Sequence, residues 1–450
     1  MLDFFSKEVR LALDKLAQCG YTAYLIGGSV RDYLMGRNVG DIDIATNALP
    51  TQVEKVFEEY KTVETGIKHG TVTVIINKNP IEITTFRTDG DYSDNRRPDT
   101  VEFSGSLEND VLRRDFTINS IAISQSGELV DLCQGKEDIE QKLIKSIGDP
   151  DKRFSEDALR ILRALRFSAV LDFDIETKTS ESIHKNKALL KNVSVERISA
   201  ELKKMIVGPR IKDVLLEYAD VVEQIIPEIG PCINFDQKNH HHIYDVYTHS
   251  VYALSYAKND IYTRIALLFH DIGKPATASF DETGEQHFYG HPKVSAEITD
   301  KILQRLHFSN AEKKCITELV ALHDSPMYIE NRQTPSYKRI KRIMAGIGAE
   351  QTKRLIDIRT CDNKAQNSYY YLGDDYYETL YSMVDKAVES NLCLKMSDLA
   401  IDGNLLKEMG YQNKQIGKIL KEVLKLVIDE KLENDKDKII EYIENKKAGN

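Results

Sequence analysis

The first third of the chain carries short runs in which apolar and polar positions alternate. In Ile81-Glu82-Ile83 the two isoleucines face one side of a strand and Glu82 faces the other, because successive side chains of a strand point to opposite faces. Four further runs have the composition of strands, with helical stretches between them: Tyr24–Ile26, Ile42–Ala45, Thr71–Ile76 and Ile118–Ile123. This alternation of strand and helix predicts an α/β domain.

After Pro150 the pattern changes to a helical one, with Leu159, Leu162, Leu165 and Ala169 on one stripe. Helical patterns then continue to the carboxyl end, and most histidines fall between residues 239 and 362. We therefore expect an α/β head followed by mostly α-helical domains. The predicted boundaries are a head at 1–145, a neck at 146–230, a histidine-rich domain at 231–365 and a tail at 366–450.

Composition limits the classes of function that fit. The 450 residues carry a net charge of −10, which argues against indiscriminate attraction to nucleic acid, so a polyanion site must be local. One arginine-rich region falls within the first 170 residues. The six scattered cysteines contain no Cys-x-x-Cys pair and indicate reduced thiols in a cytoplasmic protein. The amino terminus is patterned as an amphipathic helix rather than a signal peptide, and no apolar run is long enough to span a membrane.

The most informative motif pairs a glycine turn with two carboxylates. Gly27 and Gly28 follow a predicted strand and precede a predicted helix that contains Arg31, an arrangement suited to a triphosphate. Asp41 and Asp43 lie two positions apart in the next strand, so they share one face. Two adjacent carboxylates predict a Mg²⁺ site.

Two further groups leave alternatives open. Glu82 is the best candidate for a third carboxylate, although a solvent-facing glutamate on a half-buried strand explains it as well. In Arg113-Arg114-Asp115, arginine is suited to phosphate and Asp115 to ribose hydroxyls, whereas the alternative is a salt bridge at a helix end.

Asp157 and Arg160 are three residues apart in a segment expected to be one helix, which would make them neighbours. A carboxylate acceptor beside a guanidinium donor matches the pairing edges of cytosine and adenine, which present an amino donor beside an unprotonated ring nitrogen. Guanine and uracil present the opposite pattern. The pair therefore predicts selection of CTP and ATP without a template strand, with Arg163 able to join this face and Arg166 furthest from Asp157.

Together these motifs resemble the class II tRNA nucleotidyltransferases, which are the CCA-adding enzymes and their poly(A) polymerase relatives in the polymerase β superfamily. The resemblance spans most of the chain and rests on several segments in order: Gly27–Asp32, Asp41–Asp43, Arg87–Pro98, Arg113–Asp115, Asp131 with Gly135, Glu156–Arg160, and Arg197 with Glu201.

This resemblance implies residue roles. Asp41 and Asp43 would bind Mg²⁺ and activate the RNA 3′ hydroxyl. Gly28, Arg31 and Arg114 would contact the nucleotide. The site that selects the base would be formed or supported by four residues: Asp157, Arg160, Arg163 and Arg166. Relatives that add only CC lack the flexible loop, and the retained Arg87–Pro98 favours full CCA addition or addition of A alone. The carboxyl-terminal tail would grip the tRNA elbow.

The histidine-rich region resembles the HD phosphohydrolase superfamily at His249, His270-Asp271, His291 and His323-Asp324, with Asp362 further along the chain. That resemblance implies a divalent metal held by His249, His270, Asp271 and Asp362, with the metal undetermined by ligand type. His291 is expected in a loop, as a ligand for phosphate or a second metal. The run His240–His242 is expected to be an exposed loop rather than a site.

The leading interpretation is an enzyme that adds C, C and A to tRNA 3′ ends from CTP and ATP. The close alternative is a poly(A) polymerase or an A-adding tRNA nucleotidyltransferase. A third interpretation is an HD metal phosphohydrolase whose head only binds RNA, but the intact Asp41, Asp43 and Arg114 argue against it.

Overall fold

The computed structural model describes residues 6–66, 70–89, 101–238, 240–329 and 334–448. The chain divides into two compact units, Met1–Pro227 and Glu228–Asn450. The first is α/β and then helical, and the second is almost entirely helical, which confirms the predicted fold class. The finer division into four domains stays a prediction. Among the described residues, no helix is both long and apolar enough to cross a bilayer.

The first unit contains eleven described strands and eleven α-helices. The strands are β1 Ala23–Ile26, β2 Ile42–Thr46, β3 Lys61–Gly66, β4 Thr71–Ile76, β5 Asn79–Thr85, β6 Arg87–Asp89, β7 Val101–Phe103, β8 Ala122–Ser124, β9 Leu129–Val130, β10 Leu143–Ile144 and β11 Asp174–Ile175. The helices are α1 Lys7–Gln18, α2 Gly28–Leu34, α3 Pro50–Val56, α4 Leu107–Leu112, α5 Gly135–Glu140, α6 Pro150–Glu156, α7 Leu159–Leu171, α8 Thr177–Asn186, α9 Val195–Met205, α10 Ile211–Glu217 and α11 Ala219–Ile225.

Seven strands of the head form one sheet in the order β3-β4-β5-β2-β1-β8-β9. Strands β2 and β5 run parallel, with Asp43 opposite Glu82, and β1 pairs antiparallel with β2, with Ile26 opposite Asp43. The alternating pattern buries Ile81 and Ile83 and leaves Glu82 exposed, as the sequence predicts. Helices α1 and α3 cover one face of the sheet and complete a core that includes Leu16 and Phe57.

One sequence expectation for the head is wrong, and one strand of the head sheet was not predicted. The run Ile118–Ile123 is not one strand, because a 3₁₀ turn over Thr117–Asn119 precedes β8. Strand β3 was not expected from the sequence, since its polar residues carry no apolar alternation. Residues 90–98 of the predicted loop Arg87–Pro98 lie outside the described residues.

The second unit is built from ten helices and two small hairpins in the described residues. The helices are α12 Val246–Tyr256, α13 Ile261–Phe269, α14 Lys274–Thr277, α15 His291–Arg305, α16 Asn310–Leu322, α17 Tyr337–Ala365, α18 Asp374–Glu389, α19 Gly403–Glu408, α20 Asn413–Ile428 and α21 Lys436–Ala448. The hairpin strands are β12 Ser279–Phe280, β13 Gln286–His287, β14 Tyr328–Ile329 and β15 Thr334–Pro335.

The tail has its own apolar cluster, in which Leu406 of α19, Val423 of α20 and Ile439 of α21 are buried. Helix α17 is interrupted at Gly348, whose φ of +80° favours glycine. All six cysteines are free thiols.

Candidate active site and metal centre

Three carboxylates gather near the centre of the head sheet. Asp43 of β2 pairs in register with Glu82 of β5, and Asp41 immediately precedes β2. Burial, together with the negative charges of Glu82 and Asp41, raises the pKa of Asp43 to about 6 against the opposing effect of Arg114. Carboxylates that repel one another favour a bound cation, and an all-oxygen donor set suits Mg²⁺.

The glycine turn separates this carboxylate group from a guanidinium. Gly27 has a φ of +85°, and a Cβ added there would lie 3.5 Å from both Asp43 Oδ2 and Arg114 Nη1. Arg114 Nε and Nη2 donate to the buried Asp110 at 3.2 and 3.0 Å, and Arg113 donates to the other oxygen of Asp110. The salt bridge that the sequence left as an alternative is therefore present, and Arg114 Nη1 lies on the side of the carboxylate group.

Arg31 of α2 is buried and fully engaged by neighbouring side chains. Its Nη1 donates to Asn119 at 2.6 Å, and its Nε and Nη2 donate to Asp32 at 2.9 and 2.8 Å. Gly28 opens α2 beside it, since a Cβ there would lie 3.6 Å from Arg31 Nη2. Asn119 in turn donates to Asp115 at 3.2 Å, so Arg31 is linked to the next part of the site.

Asp115 and Glu201 anchor the arginines of α7. Arg163 Nε donates to Asp115 at 2.7 Å, and Arg166 Nε donates to Glu201 at 2.5 Å. Burial would raise the pKa of Asp115, but the Arg163 guanidinium outweighs it and lowers that pKa to about 2. The Arg163 and Arg166 guanidinium groups lie 5.3 and 3.9 Å from the centre of the Phe167 ring, within cation–π range.

The expected single helix through Asp157 and Arg160 is wrong. Helix α6 ends at Glu156 and α7 begins at Leu159, and Asp157 between them is extended, with φ −138° and ψ 101°. The Asp157 carboxylate accepts the Leu159 backbone N–H at 3.1 Å. An aspartate that binds a nearby backbone N–H in this way competes with helix continuation, which explains the break.

As a result, Asp157 and Arg160 have separate partners. Asp157 receives two hydrogen bonds from Arg197 of α9, at 3.1 and 2.7 Å. Arg160 donates to the Glu156 carboxylate at 2.8 Å and to the Arg113 carbonyl at 2.9 Å. The carboxylate and guanidinium that lie side by side are therefore those of Asp157 and Arg197.

The second unit holds a buried cluster of histidine and aspartate side chains. Ligand atoms of His249, His270 and Asp271 lie within 4.8 Å of one another, and so do those of Asp271, His291 and His323. Asp362 joins the first group, with an oxygen 3.0 Å from His249 Nε2 and 3.7 Å from His270 Nε2. Four of these residues are the predicted HD ligands, and Asp271 belongs to both groups. The expectation that His291 lies in a loop is wrong, because His291 is the first residue of α15.

The histidine tautomers fit a metal centre. The Nδ1 atoms of His270, His291 and His323 lie 2.7, 2.8 and 2.7 Å from backbone carbonyl oxygens, so Nδ1 carries the proton in each. Their Nε2 lone pairs then face the cluster, where the Nε2 atoms of His291 and His323 are 3.1 Å apart. His270 Nε2 has no hydrogen-bond partner among the residues that the structure describes. A cation that accepts these lone pairs would satisfy them.

Two residues outside the predicted ligand set complete this cluster. Lys274 is buried, and its Nζ lies 2.7 Å from Asp271 and 3.3 Å from His242 Nε2. The ring of His242 packs edge-on against His249 at 5.0 Å. The expectation that His240–His242 is only an exposed loop is therefore wrong for His242. This residue is half-buried because the loop packs against α12.

Comparison with known proteins assigns the chain to a family. Three family models match: the poly A polymerase head domain at residues 23–145, the probable RNA and SrmB-binding site of polymerase A at 172–232, and the HD domain at 240–365. A CCA-adding enzyme of Lactobacillus helveticus is 32% identical over 444 residues, which is 98% of this chain and 97% of that protein. The chain belongs to the CCA-adding enzyme family.

Other members of the CCA-adding enzyme family support this assignment. The enzyme of Geobacillus thermodenitrificans is 50% identical over 195 residues, although this match spans only 43% of this chain and 48% of that protein. The crystal structure of the Bacillus stearothermophilus CCA-adding enzyme in complex with CTP is 26% identical, with a TM-score of 0.74 over 99% of both chains. A Thermotoga maritima CCA-adding enzyme complexed with tRNA, 18% identical with a TM-score of 0.61, has the same fold.

In this member of the CCA-adding enzyme family, the residues that the sequence did not reveal are mainly those that hold the predicted site side chains in place. Asp110, which holds both Arg113 and Arg114, and Lys274 were not singled out, although i, i+4 spacing to Arg114 and the segment His270–Lys274 were available signals. Arg197 was matched only as part of a family motif. Its contact with Asp157 spans 40 residues and leaves no local signal.

Proposed function

We propose that this protein adds C, C and A to the 3′ end of tRNA from CTP and ATP, releasing pyrophosphate. The observation that carries this proposal is the carboxylate group of Asp41, Asp43 and Glu82 beside Gly27 and Arg114, in a chain that aligns with a CCA-adding enzyme along 98% of its length. The relatives compared above are CCA-adding enzymes.

The carboxylates are proposed to hold Mg²⁺. Asp41 and Asp43 supply charged oxygen donors, and the exposed Glu82 is placed in register to support them. Bound divalent ions would lower the pKa of the attacking hydroxyl and neutralise charge on the pyrophosphate. Asp43 must be ionised for this role, so its raised pKa means that protons compete with the cation for this carboxylate below about pH 6.

The nucleotide is proposed to lie between the glycine turn and α7. Gly28 leaves room for phosphate at the start of α2, while Arg31 and Arg114 add positive charge. Asp115, Arg163 and Arg166 form an anchored basic surface beyond it.

The base is proposed to be read by the Asp157 carboxylate. This side chain is partly buried and is oriented by two hydrogen bonds from Arg197. It accepts from the amino groups of cytosine and adenine, whereas guanine and uracil present a carbonyl at the equivalent position. Arg160 supports this site by tying α7 to Glu156 and to the Arg113 carbonyl.

Incorporation on three tRNA substrates tests the proposal. Transcripts ending at the discriminator base, at C and at CC are incubated with all four triphosphates and Mg²⁺, and products are resolved at single-nucleotide length. We expect extension to CCA and no further on each substrate. Long A tails, or A added only to the CC substrate, would instead identify the poly(A) or A-adding alternative.

The variant Asp43→Ala should abolish this incorporation, since it removes a metal ligand, while circular dichroism stays that of the wild type. Glu58→Ala, an exposed carboxylate on the same unit, is the matched control and should retain activity. Incorporation by Asp43→Ala at the wild-type rate would contradict the proposed role.

A second candidate function is metal-dependent phosphoester hydrolysis in the HD domain. The observation that favours it is the pair of ligand groups sharing Asp271, with three Nε2 atoms directed inward. The test is metal content after dialysis against Mn²⁺, Ni²⁺ or Mg²⁺, together with hydrolysis of a 2′,3′-cyclic nucleotide. Bound metal that is lost in His270→Ala supports a metal centre. If the protein binds no metal and hydrolyses no cyclic nucleotide, the domain is only a structural scaffold.

A further inference from the structure

One buried aromatic ring lies beside three arginines of the proposed nucleotide site. Phe167 of α7 is 4% exposed, and the guanidinium group of Arg166 lies 3.9 Å from the centre of its ring. The guanidinium groups of Arg31 and Arg163 lie 5.1 and 5.3 Å from the same centre. All three distances are within the range of about 6 Å for cation–π attraction, so a single ring attracts cations from both α2 and α7.

Helical spacing within α7 explains only one of these contacts. Arg163 and Phe167 are four residues apart, so they are neighbours on the helix surface. Arg166 directly precedes Phe167, and consecutive residues of an α-helix point about 100° apart. The Arg166 side chain therefore bends along the helix to reach the ring, and the hydrogen bond from its Nε to Glu201 holds it there.

A second aromatic ring fixes the orientation of the first. Phe116 is fully buried and meets Phe167 edge to face, with the ring centres 5.8 Å apart and the ring planes at 84°. Aromatic rings favour this geometry because the edge of a ring is positive and its face is negative. Phe116 directly follows Asp115, which accepts a hydrogen bond from Arg163. The same short segment therefore positions both the Phe167 ring and one of the arginines beside it.

An aromatic face holds a guanidinium group without cancelling its charge. Each of the three arginines already has an acidic partner: Asp32 for Arg31, Asp115 for Arg163 and Glu201 for Arg166. A fourth carboxylate in place of Phe167 would outnumber the cations and repel a triphosphate. The ring instead attracts the guanidinium groups through its quadrupole and adds no negative charge to the site.

We propose that Phe167 is a positioning residue for the incoming nucleoside triphosphate, because its ring face holds Arg31, Arg163 and Arg166 where they bind the nucleotide. This inference rests on the proposed function and adds a residue to the same site. Because the ring is almost completely buried, it acts through the arginines and does not stack on the base.

Fluorine substitution of the ring tests the inference, since fluorine withdraws electrons from the ring face and changes the size of the ring very little. Phe167 is replaced in the full-length protein by 4-fluoro-, 3,5-difluoro- and 3,4,5-trifluorophenylalanine. We expect the Kd for CTP, measured by calorimetry without a tRNA acceptor, to rise with each fluorine and to reach about 5- to 30-fold with three. The KM for CTP in tRNA extension should rise in parallel, while kcat stays within about twofold of the wild type.

Phe173 is the matched control. Its ring is also buried, and no cation lies over it in the part of the chain that the structure describes. The same three replacements at Phe173 should leave the Kd and the KM for CTP at their wild-type values. Phe167→Leu keeps an apolar side chain without a ring, and it should weaken CTP binding at least as much as the trifluorinated ring does.

An unchanged Kd for CTP across the Phe167 series, or an equal rise in the Phe173 series, would overturn the inference. A fall in kcat that does not follow the number of fluorines would indicate a purely structural role and would overturn it as well. The binding measurement needs no turnover. A protein that binds CTP with the expected fluorine dependence but adds no nucleotide to tRNA would therefore overturn the proposed function alone.

Discussion

Asp43 and Asp115 are two carboxylates of the same unit whose charges have opposite effects on stability. Burial and neighbouring carboxylates raise the pKa of Asp43 to about 6, whereas Arg163 lowers that of Asp115 to about 2. The ionised form of Asp43 therefore destabilises the folded protein, and the ionised form of Asp115 stabilises it. The residue that costs stability is the one proposed to bind metal, which is the expected trade-off at a functional site.

Asp43→Asn should make the metal-free protein more stable at pH 7.5. The folded pKa lies above the unfolded value near 4, so stability is lost as the pH rises from about 4 to about 6, and the neutral asparagine avoids this loss. We expect a gain on the order of 2 kcal/mol at pH 7.5 that disappears below pH 4.

The measurement is urea denaturation in EDTA at several pH values. Glu58→Gln, at an exposed position of the same unit, is the control and should show no such pH dependence. A variant less stable than the wild type at pH 7.5 would show that the ionised Asp43 carboxylate does not destabilise the folded protein.

At the scale of the element, the break between α6 and α7 sets the position of Asp157, the residue proposed to read the base. Asp157 is freed from helical geometry and can turn toward α9, where Arg197 holds it with two hydrogen bonds. Two parallel hydrogen bonds restrict orientation more than one contact does. The proposed selectivity would therefore depend on two segments that are 40 residues apart in the sequence.

Arg197→Ala should relax the choice of nucleotide, because Asp157 would lose its orientation. We expect the ratio of kcat/KM for CTP over UTP to fall about tenfold, which corresponds to about 1.4 kcal/mol. Arg210→Ala, which removes an arginine paired with Asp174 on the same unit, is the matched control. An equal loss of kcat/KM for both nucleotides would indicate a purely structural role for Arg197.

The sequence was a good guide where a pattern is local. Strands β1, β2, β4 and β5 follow from short apolar runs, and the stripe of Leu159, Leu162 and Leu165 locates α7. Strand periodicity also predicts that Asp41 and Asp43 share one face, which stays a prediction because Asp41 precedes β2.

Contacts between distant segments could not be read in the same way. Arg31 meets Asn119 across 88 residues, and Asp115 meets Arg163 across 48. Local spacing instead suggested a pair of Asp157 with Arg160, because nothing in the composition of the segment shows that Asp157 accepts the Leu159 N–H and leaves the helix.

At the scale of the whole molecule, the tail has a core separate from those of the head. Its three helices share a cluster around Leu406, Val423 and Ile439, and the sequence resemblance predicts that this region grips the tRNA elbow. A defect in this cluster should therefore change RNA binding more than chemistry.

Leu406→Ala should weaken binding of full-length tRNA while leaving incorporation on a short acceptor hairpin near the wild-type rate. A buried leucine truncated to alanine costs about 2 to 5 kcal/mol, enough to disorder a small helical tail. Filter binding with both RNAs measures the difference, and Val388→Ala, an exposed position in the same unit, is the control. Equal weakening for both RNAs would contradict a role for the tail at the elbow.

The side-chain contacts that link Arg31, through Asn119, Asp115 and Arg163, to Glu201 also have a consequence for synthesis on the ribosome. The segments that carry Asp41, Asp43 and Glu82 are translated early, but the partner of Asp115, Arg163, and the partner of Arg166, Glu201, are translated later. A nascent chain arrested before residue 201 would hold the proposed magnesium ligands while its basic surface still lacked an acidic anchor. The nascent chain would therefore complete its proposed nucleotide-binding surface later in translation than its proposed magnesium ligands.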